Sequence, residues 1–271
     1  MNIFERIANK IRRETIKNKR KDVPLFKDTT YTEDGNQWYD LVKVDPNTFI
    51  ESCSSYDTLL KVSEILEKLH EDEYLKFIKG FYKSGLGGFN KKWQYADILT
   101  VLYGICSTVR ITSYLEIGVR RGRSMAIVAS LNSKIDVVGF DLWIDNYAGM
   151  ENPGKDFVKE EMSKLNHTGN LSLVSGDSKK TIPDYFNDNP SKYFDLITVD
   201  GDHSKRGAII DIDNVVPRIK IGGFLVFDDI NNPNHRVLSK VWENKIMKSE
   251  RFLSHEFKGS GLGVGFAIKL Y

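Results

Sequence analysis

The run over residues 194–230, FDLITVDGDHSKRGAIIDIDNVVPRIKIGGFLVFDDI, constrains the fold more than any other stretch of the chain. An unbroken apolar run at 194–199 ends in Asp200-Gly201-Asp202-His203, and a second at 224–227 ends in Asp228-Asp229. Between them Ala208, Ile209, Ile212, Val215, Val216 and Ile219 recur at three- and four-residue steps, the period of an amphipathic helix. Ser204 is placed to cap that helix and Gly222-Gly223 to release the chain after it. Strand, helix, strand is a right-handed unit with two parallel strands. Such strands end on the same sheet edge, about 4.8 Å apart when adjacent. Asp200 and the pair Asp228-Asp229 are therefore expected to converge although 28 positions separate the first two.

Carboxylates packed that closely raise one another's pKa unless a positive charge lies between them. A hard divalent cation with oxygen ligands, Mg²⁺ above all, answers that need. Taken singly, each acid is also what an ordinary strand end carries.

Upstream, 113–124 (SYLEIGVRRGRS) is a short strand and a glycine-bearing turn into a helix over 125–131. Gly118 and Gly122 let a backbone approach a nucleoside closely, in the spacing E-x-G-x-x-x-G. The third glycine of dinucleotide enzymes is missing, which disfavours a nicotinamide oxidoreductase. A strand over 135–140 leads to Asp141, about where doubly wound folds place the acid that holds a ribose diol. Another at 171–174 leads to Gly176-Asp177-Ser178, whose carboxylate and backbone are suited to an adenine edge. Trp143 is placed to wall the same pocket.

The chain of 271 residues suffices for one large α/β domain plus an N-terminal extension, divided at residue 93/94. A formal charge of +2 excludes nucleic-acid binding by bulk electrostatics. Two cysteines outside any paired motif suggest neither a disulfide framework nor a zinc site, and a reducing cytoplasm is the simplest home. No apolar run approaches the roughly 20 residues that span a bilayer, and the N-terminus lacks the apolar core of a signal peptide. Residues 1–21 place Ile3, Phe4, Ile7 and Ile11 on one helical face among eight basic side chains, a pattern able to lie on an anionic membrane or pack on its own domain. Residues 22–49 suggest an irregular connection. Amphipathic helices are expected over 56–81 and 95–106, interrupted by Gly85-Leu86-Gly87-Gly88 as a turn or mobile lid. After a helix-like pattern at 151–166, the tail supplies one more helix (Val237 to Met247) and a hairpin (252–257 and 264–270).

With these motifs, residues 94–271 resemble the class I S-adenosylmethionine-dependent methyltransferases. Within them VDGDHS, a helix and GGFLVFDDI resemble the macrocin O-methyltransferase group of metal-dependent sugar O-methyltransferases. The resemblance implies a doubly wound, mostly parallel Rossmann-like sheet with a C-terminal antiparallel hairpin, while residues 1–93, which it does not cover, are expected from their own pattern to be a basic, helical extension supplying lid, substrate or oligomer contacts. It implies that Glu116, Gly118, Gly122 and Ser124 frame the methionine and ribose of S-adenosylmethionine, with Asp141 and Trp143 at the ribose and Asp177 and Ser178 at the adenine. Asp200, Asp228 and Asp229 match its Mg²⁺ ligands, and His203, assisted by Asp200, its general base, with Asp202 in reserve. A sugar or glycan hydroxyl is the implied acceptor, a catechol-like phenol the alternative, and a homo-oligomer is expected. A nucleotide-binding module without chemistry, docked through residues 1–21, is the rival from another class. Arg120, Arg121 and Arg123 depart from the family pattern, making the glycine turn unusually basic.

Overall fold

The computed structural model describes residues 30–33, 36–40, 44–146, 149, 151–259 and 261–271. The chain forms two compact units, 1–42 and 43–271. In the first, β1 (Thr30–Glu33) and β2 (Asn36–Asp40) make an antiparallel hairpin where an irregular connection was expected. The Asp34-Gly35 dipeptide between two short runs is a hairpin signal which that expectation passed over. The basic pattern of 1–21 lies outside the described residues.

The second unit opens with α1 (Asn47–Ser54), α2 (Tyr56–Leu66), α3 (Glu73–Phe89) and α4 (Ile98–Thr108). There follow β3 (Ser113–Ile117), α5 (Arg123–Leu131), β4 (Asp136–Asp141), α6 (Lys155–Lys164), β5 (Leu171–Ser175) and α7 (Ser178–Asp188). The chain closes with β6 (Phe194–Val199), α8 (Lys205–Val215), β7 (Ile219–Asp228), α9 (Val237–Trp242), β8 (Phe252–Phe257) and β9 (Val264–Lys269). The sheet order is β5-β4-β3-β6-β7-β9-β8, with β9 antiparallel to both of its neighbours, β7 and β8, and the other pairs parallel. This is the doubly wound sheet with its C-terminal hairpin. The strand order turns in opposite directions from β3 and from β6, so the crevice beyond their C-terminal ends is the place where such sheets bind ligands.

Each sheet face has its own core. On one, α1 to α6 bury Phe49, Val62, Leu102, Met125 and Val158, with Phe49 edge-on to Phe224 at 5.1 Å between ring centroids. On the other, α7 to α9 bury Phe186, Ile212 and Trp242, and Trp242 stacks on Phe227 at 5.9 Å. Helices within 47–108 pack against this sheet, and the boundary between compact units falls at 42/43.

Two glycine readings need correction. α3 runs unbroken through Gly85, Gly87 and Gly88. A β-carbon at Gly85 would stand 2.2 Å from the Trp93 indole, so this glycine admits an aromatic ring against the helix instead of ending it. Gly222-Gly223 likewise lie inside β7, which starts at Ile219 and pairs irregularly with β6 between Phe194 and Leu196. The α8 cap is as expected, with Ser204 Oγ accepting from the Gly207 amide at 3.0 Å. Among the described residues no helix is long and apolar enough to cross a membrane.

Candidate active site

The crevice is built by three backbone approaches. Asp200 leaves β6 with its amide donating to Ile117 O at 2.9 Å, and the Gly118 amide donates to Phe140 O at 2.9 Å. These bonds draw the ends of β6, β3 and β4 together. Gly118 has φ +89°, and a β-carbon there would stand 1.9 Å from the Asp200 carbonyl oxygen. Its first role is thus to let two chain turns touch. Gly118→Ala is expected to cost about 3 kcal/mol or more in denaturant unfolding, through left-handed strain plus a backbone clash.

On the β7 side, Asp229 adopts φ +62°, a region that Asp and Asn tolerate better than other side-chain-bearing residues. The loop after it is pinned to the end of the hairpin, Ile230 N to Gly263 O at 3.1 Å and Asn231 N to Leu262 O at 2.7 Å. Buried Asn232 donates its side-chain amide to Asp229 Oδ2 at 3.0 Å. The distant acids therefore do meet. His203 Nε2 lies 3.4 Å from Asp200 Oδ1 and 3.6 Å from Asp229 Oδ2, and one ligand atom from each of the three falls within 4.8 Å of the others. Asp228 stands outside that cluster.

The electrostatics are those of a crowded acidic rim. Burial pushes the Asp228 carboxyl well above the usual range, and the charges of Asp200 and Asp229 push it further. Burial also raises Asp200, against the opposing hydrogen bond and charge of His203. Donating to the Asp200 carboxylate raises His203 above its ordinary 6.5. A divalent cation would relieve this repulsion, and two carboxylates with an imidazole are an ordinary donor set for one. His235, whose ring centroid is 4.6 Å from that of His203, was missed in the sequence because a lone histidine carries no pattern. Half-buried Asp97 was missed too. It caps α4 and accepts from Tyr82 Oη at 2.5 Å.

The nucleoside half gathers on Asp141. Its Oδ2 accepts from the Arg120 amide at 2.7 Å and its Oδ1 from the Trp143 amide at 2.6 Å, with Asn152 Nδ2 at 3.5 Å. Trp143 Nε1, Asn152 Oδ1, and Nε and Nη2 of Arg120 are all buried without a hydrogen-bond partner. Buried polar atoms are nearly always paired in folded proteins. Their concentration around one acid fits a pocket whose ligand answers them.

Other expected pocket residues are differently employed. Glu116 is 1% exposed and accepts from Tyr114 Oη at 3.1 Å and from Ser124 Oγ. Asp177 caps α7 through the Lys179 amide at 3.0 Å, and Ser178 Oγ donates to buried Asp211 at 2.6 Å. Gly122, at φ +71°, precedes α5 and faces Val158.

Burial lifts the Glu116 carboxyl from 4.5 to about 8, outweighing the bonds from Ser124 and Tyr114. Between those values the native state keeps a proton that the unfolded chain has released, so stability should fall as pH rises across that window. Glu116→Gln has no proton to lose, and a comparison of urea midpoints at about pH 5 and about pH 8 should show a smaller fall than in the wild type.

Residues 115–230 match a family model described as a methyltransferase domain. No curated protein matches the chain in sequence. The fold is shared with the calicheamicin-pathway protein CalS11, described as a TDP-rhamnose 3′-O-methyltransferase (19% identity, 85% of this chain and 99% of that one, TM-score 0.51). It is shared with the O-methyltransferase TomG of Streptomyces achromogenes, solved with S-adenosylmethionine (15% identity, 79% and 96%, TM-score 0.52). An O-methyltransferase of Bacillus cereus, solved with S-adenosylhomocysteine, is similar again (15% identity, 85% and 94%, TM-score 0.51).

Proposed function

On the premise that this chain carries a class I methyltransferase domain, we propose that it transfers a methyl group from S-adenosylmethionine to a hydroxyl of a sugar or glycosylated molecule, with a divalent cation such as Mg²⁺. The observation that carries this reading is the meeting of Asp200, His203 and Asp229 at the rim beside the Asp141 pocket. Bound there, the donor supplies an electrophilic methyl and the cation supplies Lewis acidity toward the acceptor oxygen.

The chain supplies position and proton handling. Asp200 and Asp229 are the cation's holders, with Asn232 fixing the Asp229 carboxylate and Asp228 adding a third carboxyl beside them. Asp141, oriented by two backbone amides and by Asn152, keeps a free lone pair on Oδ2 for the ribose diol. His203 takes the acceptor's proton at Nε2, for which it must first be neutral, and Asp202 is the reserve base. An alkanol hydroxyl is a poor nucleophile near neutral pH, so in-line alignment and removal of its proton are the work required. The glycosyl part of the reading is supported by CalS11, whose described acceptor is a sugar nucleotide. Tyr74, Phe77 and Phe81 along α3, exposed by 40% or more, add aromatic faces suited to the C–H side of a pyranose.

The test is methyl transfer from labelled donor to a panel of nucleotide sugars, glycosides and catechols, with and without excess chelator. Cation-dependent transfer to a glycosyl hydroxyl is expected. Transfer to catechols alone, or turnover indifferent to chelator, would overturn the acceptor or the metal part respectively.

A further inference from the structure

We infer that Arg120 is the carboxylate subsite of the donor pocket, its guanidinium gripping the amino-acid carboxylate of the methyl donor. The inference rests on the donor reading above and adds a residue to it.

Three arginines make the glycine turn basic, and the structure separates them. Arg121 pairs with Asp72 at 3.4 Å and Glu151 at 3.2 Å, and lies over the Phe157 ring. Arg123 pairs with the same Asp72 at 2.5 Å. Both are thereby tied to the start of α3, where Asp72 is the helix cap. Arg120 has no ion pair of that kind among the described residues, although its charge bears on the Asp200 carboxyl. Its backbone is held in the left-handed region at φ +50° by the amide bond to Asp141, and its guanidinium carbon sits 5.7 Å from the Tyr74 ring centroid. Its Nε and Nη2 are buried with no hydrogen-bond partner.

Those two nitrogens form one edge of the guanidinium. That edge presents two parallel N–H groups, the fork that meets a carboxylate in bidentate fashion. Leaving such donors dry and unanswered is costly, and a ligand oxygen on each removes the cost. The donor's chemistry divides accordingly. Its sulfonium and ammonium are cations suited to an acidic rim, whereas its carboxylate is the one anionic group and requires a cation. Because the Arg120 amide is bonded to the ribose acid, the guanidinium belongs to the donor side of the crevice. An acidic acceptor offers the same chemistry, so the test uses donor-derived probes.

Calorimetric titration of the full chain with S-adenosylhomocysteine and with its decarboxylated analogue, 5′-(3-aminopropylthio)-5′-deoxyadenosine, separates the cases. Wild type should prefer the carboxylate-bearing compound by about 10- to 100-fold. Arg120→Met should bring the two close to parity by weakening only the former, and Arg120→Lys should restore part of the preference. Ligand-free Arg120→Met should melt no lower than wild type, since it removes two buried N–H groups that lack a hydrogen-bond partner. A wild type that binds both compounds alike, or an Arg120→Met that keeps the full preference, overturns the inference while leaving the donor reading intact. Wild type that binds neither compound defeats the donor reading itself.

Discussion

Replacing Asp229 with asparagine is expected to lower methyl transfer by about 10³-fold, the scale of several kcal/mol of lost charge stabilisation at the acceptor oxygen. Asparagine is the informative choice because it also tolerates the left-handed backbone at this position and can still accept from Asn232. What it removes is one of the two carboxylates that face each other across His203. Asp200→Asn should act alike. In both variants S-adenosylhomocysteine should bind nearly as in wild type, because the nucleoside half is organised by Asp141 from β4. Added Mg²⁺ or Mn²⁺ at high concentration should restore part of the turnover if weakened metal affinity is the cause. Loss of donor affinity in step with turnover would point to a collapsed crevice instead.

The second large effect is expected at His203. His203→Gln should lower kcat by roughly 10² to 10⁴, the usual contribution of a positioned general base. With no cation bound, the Asp200 carboxylate accepts from the imidazole and raises His203 above its ordinary 6.5. A base must be neutral to act, so the rate of the wild type should climb with pH along a limb that the variant lacks. The same imidazole lies within reach of both Asp200 and Asp229, which also makes it a cation ligand by geometry. Metal titration of the variant decides between the roles. An unchanged cation affinity with a lost pH limb is the behaviour of a base, whereas affinity falling together with turnover is that of a ligand.

Much of this site was legible in the chain because parallel strands impose a rule on it. Once 194–199 and 219–228 are strands joined through a helix, Asp200 and Asp229 must share an edge, and no tertiary detail is needed to say so. The same rule found Asp141 and Asp177 at the ends of β4 and β5. What the chain concealed was packing. Gly118 reads as room for a nucleoside, and its φ and the adjacent Asp200 carbonyl add a second reason for glycine that no pattern in the chain announces. Glu116 reads as a ligand at the turn, and its bonds from Tyr114 and Ser124 are contacts that only the fold shows. Gly85 to Gly88 read as a break because glycine disfavours helix, and the buried contact with Trp93 overrides that preference. The three arginines of the turn are indistinguishable in sequence. Only the position of Asp72, some fifty residues away, separates two paired cations from one that waits for a partner.

The central claim is that Asp200 and Asp229 hold a divalent cation beside the methyl donor. Crystals grown with S-adenosylhomocysteine and Mn²⁺, measured for anomalous scattering, test it most directly. A single peak in contact with both carboxylates is predicted, and it should disappear in Asp229→Asn. Well-ordered donor product with no peak at that rim, at Mn²⁺ concentrations that sustain turnover, would contradict it.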